Sequence, residues 1–156
     1  GARFGLWRSQ RWSLALQGVA TLPGPGENQP NLALGVGGGD GEVRLLLGRS
    51  IGRHGFAETQ LGYRGRGDQD GAEVRLDTAI GTRLRGRWSV HLQTFSVWSH
   101  EIDTTRFHAF SGHRAQLSVL ADLGKGRVLQ VGVLSSVRTH NMADELAVTT
   151  GVWQRF

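Results

Sequence analysis

Apolar and polar residues alternate with a period of two along most of this 156-residue chain, and no stretch sustains the 3.6-residue period of an amphipathic helix. That pattern commits the chain to β-strands, each with one apolar and one polar row. It is plain in the last stretch, ADELAVTTGVWQRF from Ala143 to Phe156. Counting back in twos, Gln154, Val152, Thr150, Val148 and Leu146 make a mostly apolar row, and Arg155, Trp153, Gly151, Thr149 and Ala147 make the other. The same reading places strands over Ala2 to Arg8, Arg11 to Leu22, Asp40 to Ser50, Gly55 to Arg64, Gly71 to Arg83, Gly86 to Glu101, Thr105 to Leu123, Arg127 to Arg138 and Ala143 to Phe156. The fold class is therefore all-β, with about nine strands, most of them long for a soluble domain.

The length suits one domain, residues 1–156, and no Pro-rich, Ser-rich or single-charge run divides it. With no cysteine, neither a disulfide framework nor a thiolate metal site can form. The net charge is +5, and of the 18 basic residues Lys125 is the only lysine. Arginines are spread one or two per segment, without the basic stripe or stacking aromatics of a nucleic-acid-binding sheet, so no nucleic-acid partner is expected. No apolar run approaches the ~20 residues of a transmembrane helix, and none resembles the core of a signal peptide. An export signal, if used, is expected to have been removed or to lie outside this chain.

The connections alternate in length. Short ones fall near Ser9 to Gln10, Ile51 to His54, Leu84 to Arg85 and Gly124 to Gly126. The others run Pro23 to Gly39, Gly65 to Asp70, around Ile102 to Thr104, and Thr139 to Met142, the first of these being the longest. The Gly-rich VGGGDGE, Val36 to Glu42, lacks the Lys-Ser/Thr and following helix of a phosphate loop and reads as a turn into a strand.

Alternation alone does not say which row faces a protein interior, because a soluble barrel or sandwich alternates equally well. In GRWSVHLQTFSVWSHE, Trp88 and Trp98 share a row with Val90, Leu92, Thr94 and Ser96. Ten residues at ~3.3 Å each, tilted near ~40°, separate those tryptophans by about 25 Å, the height of an apolar band between two aromatic girdles. Trp12 and Phe156 are further girdle candidates. The opposite rows carry Glu42 and Arg44, then Glu58, Gln60 and Arg64, then Glu73, Arg75 and Asp77, continuing with His91 and Gln93 and with Arg114, Gln116, Ser118 and Asp122. Acid and base on consecutive strands, ~5 Å apart across a ladder, fit a cross-strand ion-pair network in a narrow, largely plugged lumen; in a soluble barrel they are a solvated face. Glycines inside strands, Gly62, Gly81, Gly132 and Gly151, fit curvature or room for large neighbours such as Trp153.

The terminal GVWQRF, the alternating strands and the short-turn/long-loop parity resemble Gram-negative outer-membrane β-barrel proteins over essentially the whole chain. The resemblance implies an antiparallel up-and-down transmembrane barrel in the bacterial outer membrane, with short turns in the periplasm. It implies outer-membrane lipid and lipopolysaccharide as surroundings, possible envelope protein partners, and recognition of the C-terminal strand by the barrel-assembly machinery. Phe156 matches the usual terminal residue, whereas Gln154 stands where an apolar or aromatic residue is usual. Nine strands with a periplasmic C-terminus put Gly1 outside, so a complete barrel of ten or more strands is expected, with strands preceding Gly1.

By the same parity, SHEIDTTRFHAFSGH, Ser99 to His113, lies at the external rim with His100, Glu101, Asp103, His108, Ser111 and His113, and the next loop adds His140, Asp144 and Glu145. Outer-membrane proteases and lipid A deacylases resemble this in carrying acid, His and sometimes Ser at the rim. Ser111 is a candidate nucleophile if His108 or His113 reaches it, and His100, His108, His113 or His140 are candidate metal ligands. No spacing is diagnostic of a hydrolase or a metal site, so no cofactor or metal is expected. Three function classes remain, in order: a passive channel or small-solute transporter lined by the charged rows, a structural or binding barrel anchoring an envelope assembly, and a rim hydrolase.

Overall fold

The computed structural model describes residues 1–21, 39–66, 72–99 and 109–154. These form nine strands, β1 (Ala2–Arg8), β2 (Trp12–Thr21), β3 (Asp40–Ile51), β4 (Gly55–Arg66), β5 (Ala72–Arg83), β6 (Trp88–Ser99), β7 (Ser111–Gly124), β8 (Arg127–His140) and β9 (Leu146–Gln154). Each pairs antiparallel with the next, giving one up-and-down meander in chain order. Among the described residues there is no helix. β1 and β9 are the two edges and share neither a ladder nor a close backbone approach, so the described sheet is an up-and-down meander not closed into a barrel; the sequence placed closure in a complete protein of ten or more strands.

β9 and β7 start well after the alternation suggests. β9 begins at Leu146 rather than Ala143 because the preceding residues are held in a turn: Asn141 is left-handed at φ 53°, Thr139 Oγ1 donates to Asp144 Oδ1 at 2.7 Å, and the Glu145 amide donates to Ser136 Oγ. β7 begins at Ser111 rather than Thr105, and residues 105–108 lie outside the described residues. At the other end of the strands the turns are tight. Gly52, Gly86 and the Gly124-Lys125-Gly126 triplet all have positive φ, the backbone that two-residue hairpins need to match strand twist.

The ladder register brings the apolar rows of all the strands onto one face. Leu16, Leu45, Leu61 and Leu76 stand side by side, as do Leu92, Leu117, Val133 and Val148. This face is open: Leu117 is 56 % exposed, Val148 74 % and Leu146 78 %. The polar rows share the other face, where side chains cover one another until Glu73 is 3 % and Ser118 0 % exposed. Among the described apolar residues only Leu46, Leu120 and Ala121 are buried. The sheet therefore has no conventional hydrophobic core, and its amphipathicity is the reverse of a water-soluble domain's.

Ser118 is enclosed because Gly132, its direct partner on β8, carries no side chain. A Cβ there would lie 2.3 Å from Ser118 Oγ and 2.8 Å from the Leu117 carbonyl oxygen, whereas one at Gly151 would meet nothing nearer than 3.9 Å. Room for neighbours thus accounts for Gly132 and not for Gly151. Gly132→Val is expected to cost about 1–3 kcal/mol through overpacking, while Gly151→Ala stays within about 1 kcal/mol of the parent, as read by denaturant unfolding.

Candidate functional site

On the polar face the side chains divide into three zones. The first lies on β3 to β5, toward the long connections. Arg44 is its hub: it pairs with Glu42 on its own strand, reaches Gln60 Oε1 on β4 at 3.3 Å, and ends on Asp77 Oδ2 of β5 at 2.9 Å. It crosses β4 at Gly62, its directly opposed partner, where an added Cβ would stand 3.3 Å from Arg44 Cγ. Arg64 pairs with Asp40, and Arg75 Nη2 with Glu73 Oε2 at 2.8 Å. Glu58 accepts from Gln60. The ion-pair network expected from the sequence is thus present, but its bonds run along strands and diagonally instead of straight across. The reason is register: Arg44, Gly62 and Arg75 share one row, so direct opposition offers Arg44 no carboxylate.

The second zone, on β7 to β9, is uncharged. Gln116 Nε2 and Gln130 Nε2 both donate to Ser118 Oγ, at 2.9 and 3.0 Å, and Trp153 Nε1 donates to Gln130 Oε1 at 2.9 Å. Gln93 lines a small cavity of about 240 Å³ with the same glutamines. Nearer the long connections Arg114 meets Glu145 at 3.2 Å.

The third zone lies at the short-turn end. A cavity of about 880 Å³ opens there, bounded by side chains from β4 to β8 and by their turns. Arg53, Arg83, Arg87 and Lys125 surround it, with His54 beside them. The Phe56 and His91 rings meet edge to face at 5.0 Å in its wall. Arg8, Arg11, Arg49, Arg85 and Arg127 are at the same end of the sheet, so half of the 18 basic residues gather there. Among the described residues the one carboxylate lining the cavity is that of Asp122, whose Oδ1 accepts the Gly124 amide at 2.8 Å.

The rim candidates are only partly brought together. Ser111 and His113 lie on the apolar face of β7, opposite Trp98 and Ser96. His113 Nδ1 is 3.0 Å from Ser96 Oγ, and its ring sits edge-on to Trp98 at 5.2 Å. No hydrogen bond joins His113 to Ser111, whose cross-strand partner on β8 is His140. His100, Glu101, Asp103 and His108 lie outside the described residues, as does Phe156. Among the described residues no three His, Asp or Glu side chains group as metal ligands. Trp12, Trp88 and Trp98 all face the apolar side, the first two toward the short turns and the third toward the long connections. Arg49 lies over the Trp12 ring at 4.8 Å and Arg87 over Trp88 at 5.6 Å.

Compared with protein-family models, curated proteins and solved structures, the chain matches none. Its site is therefore defined by geometry alone. The turn-end cluster is absent from the sequence expectation because its members are far apart along the chain. The signal that could have found it is that three of the short turns carry a basic residue near their apex: Arg53, Arg85 and Lys125.

Because Arg44 serves two carboxylates, Arg44→Met is expected to destabilise the sheet by about 1–3 kcal/mol, and Arg44→Lys to recover only part of this because an ammonium lacks the guanidinium fork. A double-mutant cycle with Asp77→Asn should return a coupling of about 1 kcal/mol, whereas exposed Arg138→Gln should change stability by less than about 0.5 kcal/mol.

Proposed function

We propose that this chain is the wall of a bacterial outer-membrane β-barrel whose charged interior forms a narrow path for small solutes. The observation that carries the reading is the reversed amphipathicity, with only Leu46, Leu120 and Ala121 buried among the described apolar residues. Exposing Leu, Val and Trp side chains across every strand to water would forfeit ~1.5–3 kcal/mol at each, whereas hydrocarbon accepts them. The dimensions agree. Strands β3 to β6 have 12 residues each. At ~3.3 Å per residue and a tilt near ~40°, they span about 30 Å, the thickness of a bilayer core. Trp88 and Trp98, 45 % and 38 % exposed, stand on the apolar face near its two limits.

Hydrocarbon also demands that every backbone group be paired. The reading therefore requires the outer edges of β1 and β9 to be covered by strand pairing. Lipid and lipopolysaccharide would contact the apolar face, the short turns would lie in the periplasm, and the C-terminal strand would meet the assembly machinery. The polar zones then line the interior, where side chains that satisfy one another leave space mainly toward the short turns. Such a barrel could equally serve as an anchor for an envelope assembly, and the mutual pairing of Arg44, Arg64 and Arg75 with carboxylates favours that second reading.

Leu117→Arg separates membrane from water. In lipid vesicles it is expected to cost about 2–4 kcal/mol of folding stability, whereas on a water-exposed sheet it would stay within about 0.5 kcal/mol. Planar-bilayer recordings on the purified chain should give stepwise currents. Silence with and without candidate solutes would leave the anchor.

A further inference from the structure

We propose that the turn-end cavity binds phosphate-bearing anions. The inference rests on the solute-path reading and deepens it by naming the class of solute that the path selects.

Charge is the first ground. Among the described residues, Arg53, Arg83, Arg87 and Lys125 line the cavity against one carboxylate, Asp122, which is already engaged by the Gly124 amide. None of the four belongs to a described ion pair, whereas Arg44, Arg64, Arg75 and Arg114 on the same face each hold a carboxylate. Cations gathered without counter-charges repel one another, and an anion of two or more charges relieves that repulsion. Guanidinium groups suit phosphate because their fork presents two N–H donors to two oxygens.

The backbone supplies a second ground. Lys125 sits at φ 52° between Gly124 and Gly126, a left-handed position that Asn or Gly fills more easily. Its charge is thus carried where local preference argues against lysine, and it points to a use for that charge. The cavity itself, about 880 Å³, matches the volume of small-ligand sites. Its wall pair, Phe56 and His91, offers ring surface to the organic part of a phosphate ester.

A free solute and a lipid headgroup both present phosphate, and the test separates them. The whole chain in zwitterionic micelles is titrated calorimetrically with sodium pyrophosphate at low ionic strength, then with phosphatidylglycerol doped into the micelles. Saturable binding of either is expected, weakened about tenfold by Arg83→Gln with Arg87→Gln and severalfold by Lys125→Asn, and unchanged by Arg138→Gln. Asn suits the left-handed turn, so that variant removes charge without disturbing the fold. Binding of pyrophosphate assigns the site to a solute; binding of phosphatidylglycerol alone assigns it to a headgroup. The absence of saturable binding in both arms, or equal binding by the parent and the double variant, overturns the proposal. If no conductance appears while pyrophosphate still binds, the path fails and the anion site stands. If the chain stays monodisperse without detergent, the membrane reading fails and the titration is read in plain buffer.

Discussion

The pleat of the β-strand governs everything else in this molecule. Neighbouring side chains must point to opposite faces, so the register that lets Arg44 reach Asp77 also sets Leu45, Leu61 and Leu76 side by side on the other face. A slip of one residue anywhere would exchange the faces, carrying arginines among leucines and leucines among carboxylates. The two faces therefore hold register jointly. No second layer is needed to define the sheet, because each face already contains what the other excludes.

Within the polar face, electrostatics separates along the strands. Toward the long connections, carboxylates on β3 and β5 neutralise arginines at short range, and Gly62 gives Arg44 its passage over β4. Toward the short turns, cations outnumber carboxylates around an open cavity. Between them, on β7 to β9, Ser118, Gln116, Gln130 and Trp153 satisfy one another without net charge. A paired zone resists change because removing one partner strands another, whereas cations outside any described ion pair have N–H donors to offer a ligand. That difference assigns stability to the loop half of the face and recognition to its turn half.

Much of this was legible in the chain. Strand number and most boundaries follow from alternation, since a period of two is imposed by local backbone geometry and needs no knowledge of partners. The residues of the polar rows were legible for the same reason: Glu42, Arg44, Glu73, Arg75 and Asp77 all stand where alternation puts them. Their pairings were not, because which carboxylate an arginine meets depends on register and on the reach of its side chain over neighbours such as Gly62. Nor was the partner of His113, one of the two histidines considered for Ser111, legible: its ring meets Ser96 across the ladder.

The sequence by itself determined that the chain is all-β, that each strand has one apolar and one polar row, and that its turns alternate short and long. Those are properties of consecutive residues. Only the tertiary structure decided that the apolar rows are the exposed ones, that Arg44 links three strands, and that basic residues scattered over some 120 positions meet at one end of the sheet. These depend on through-space contact between strands distant in the chain, and the antiparallel ladder supplies it by returning every second connection to the same end.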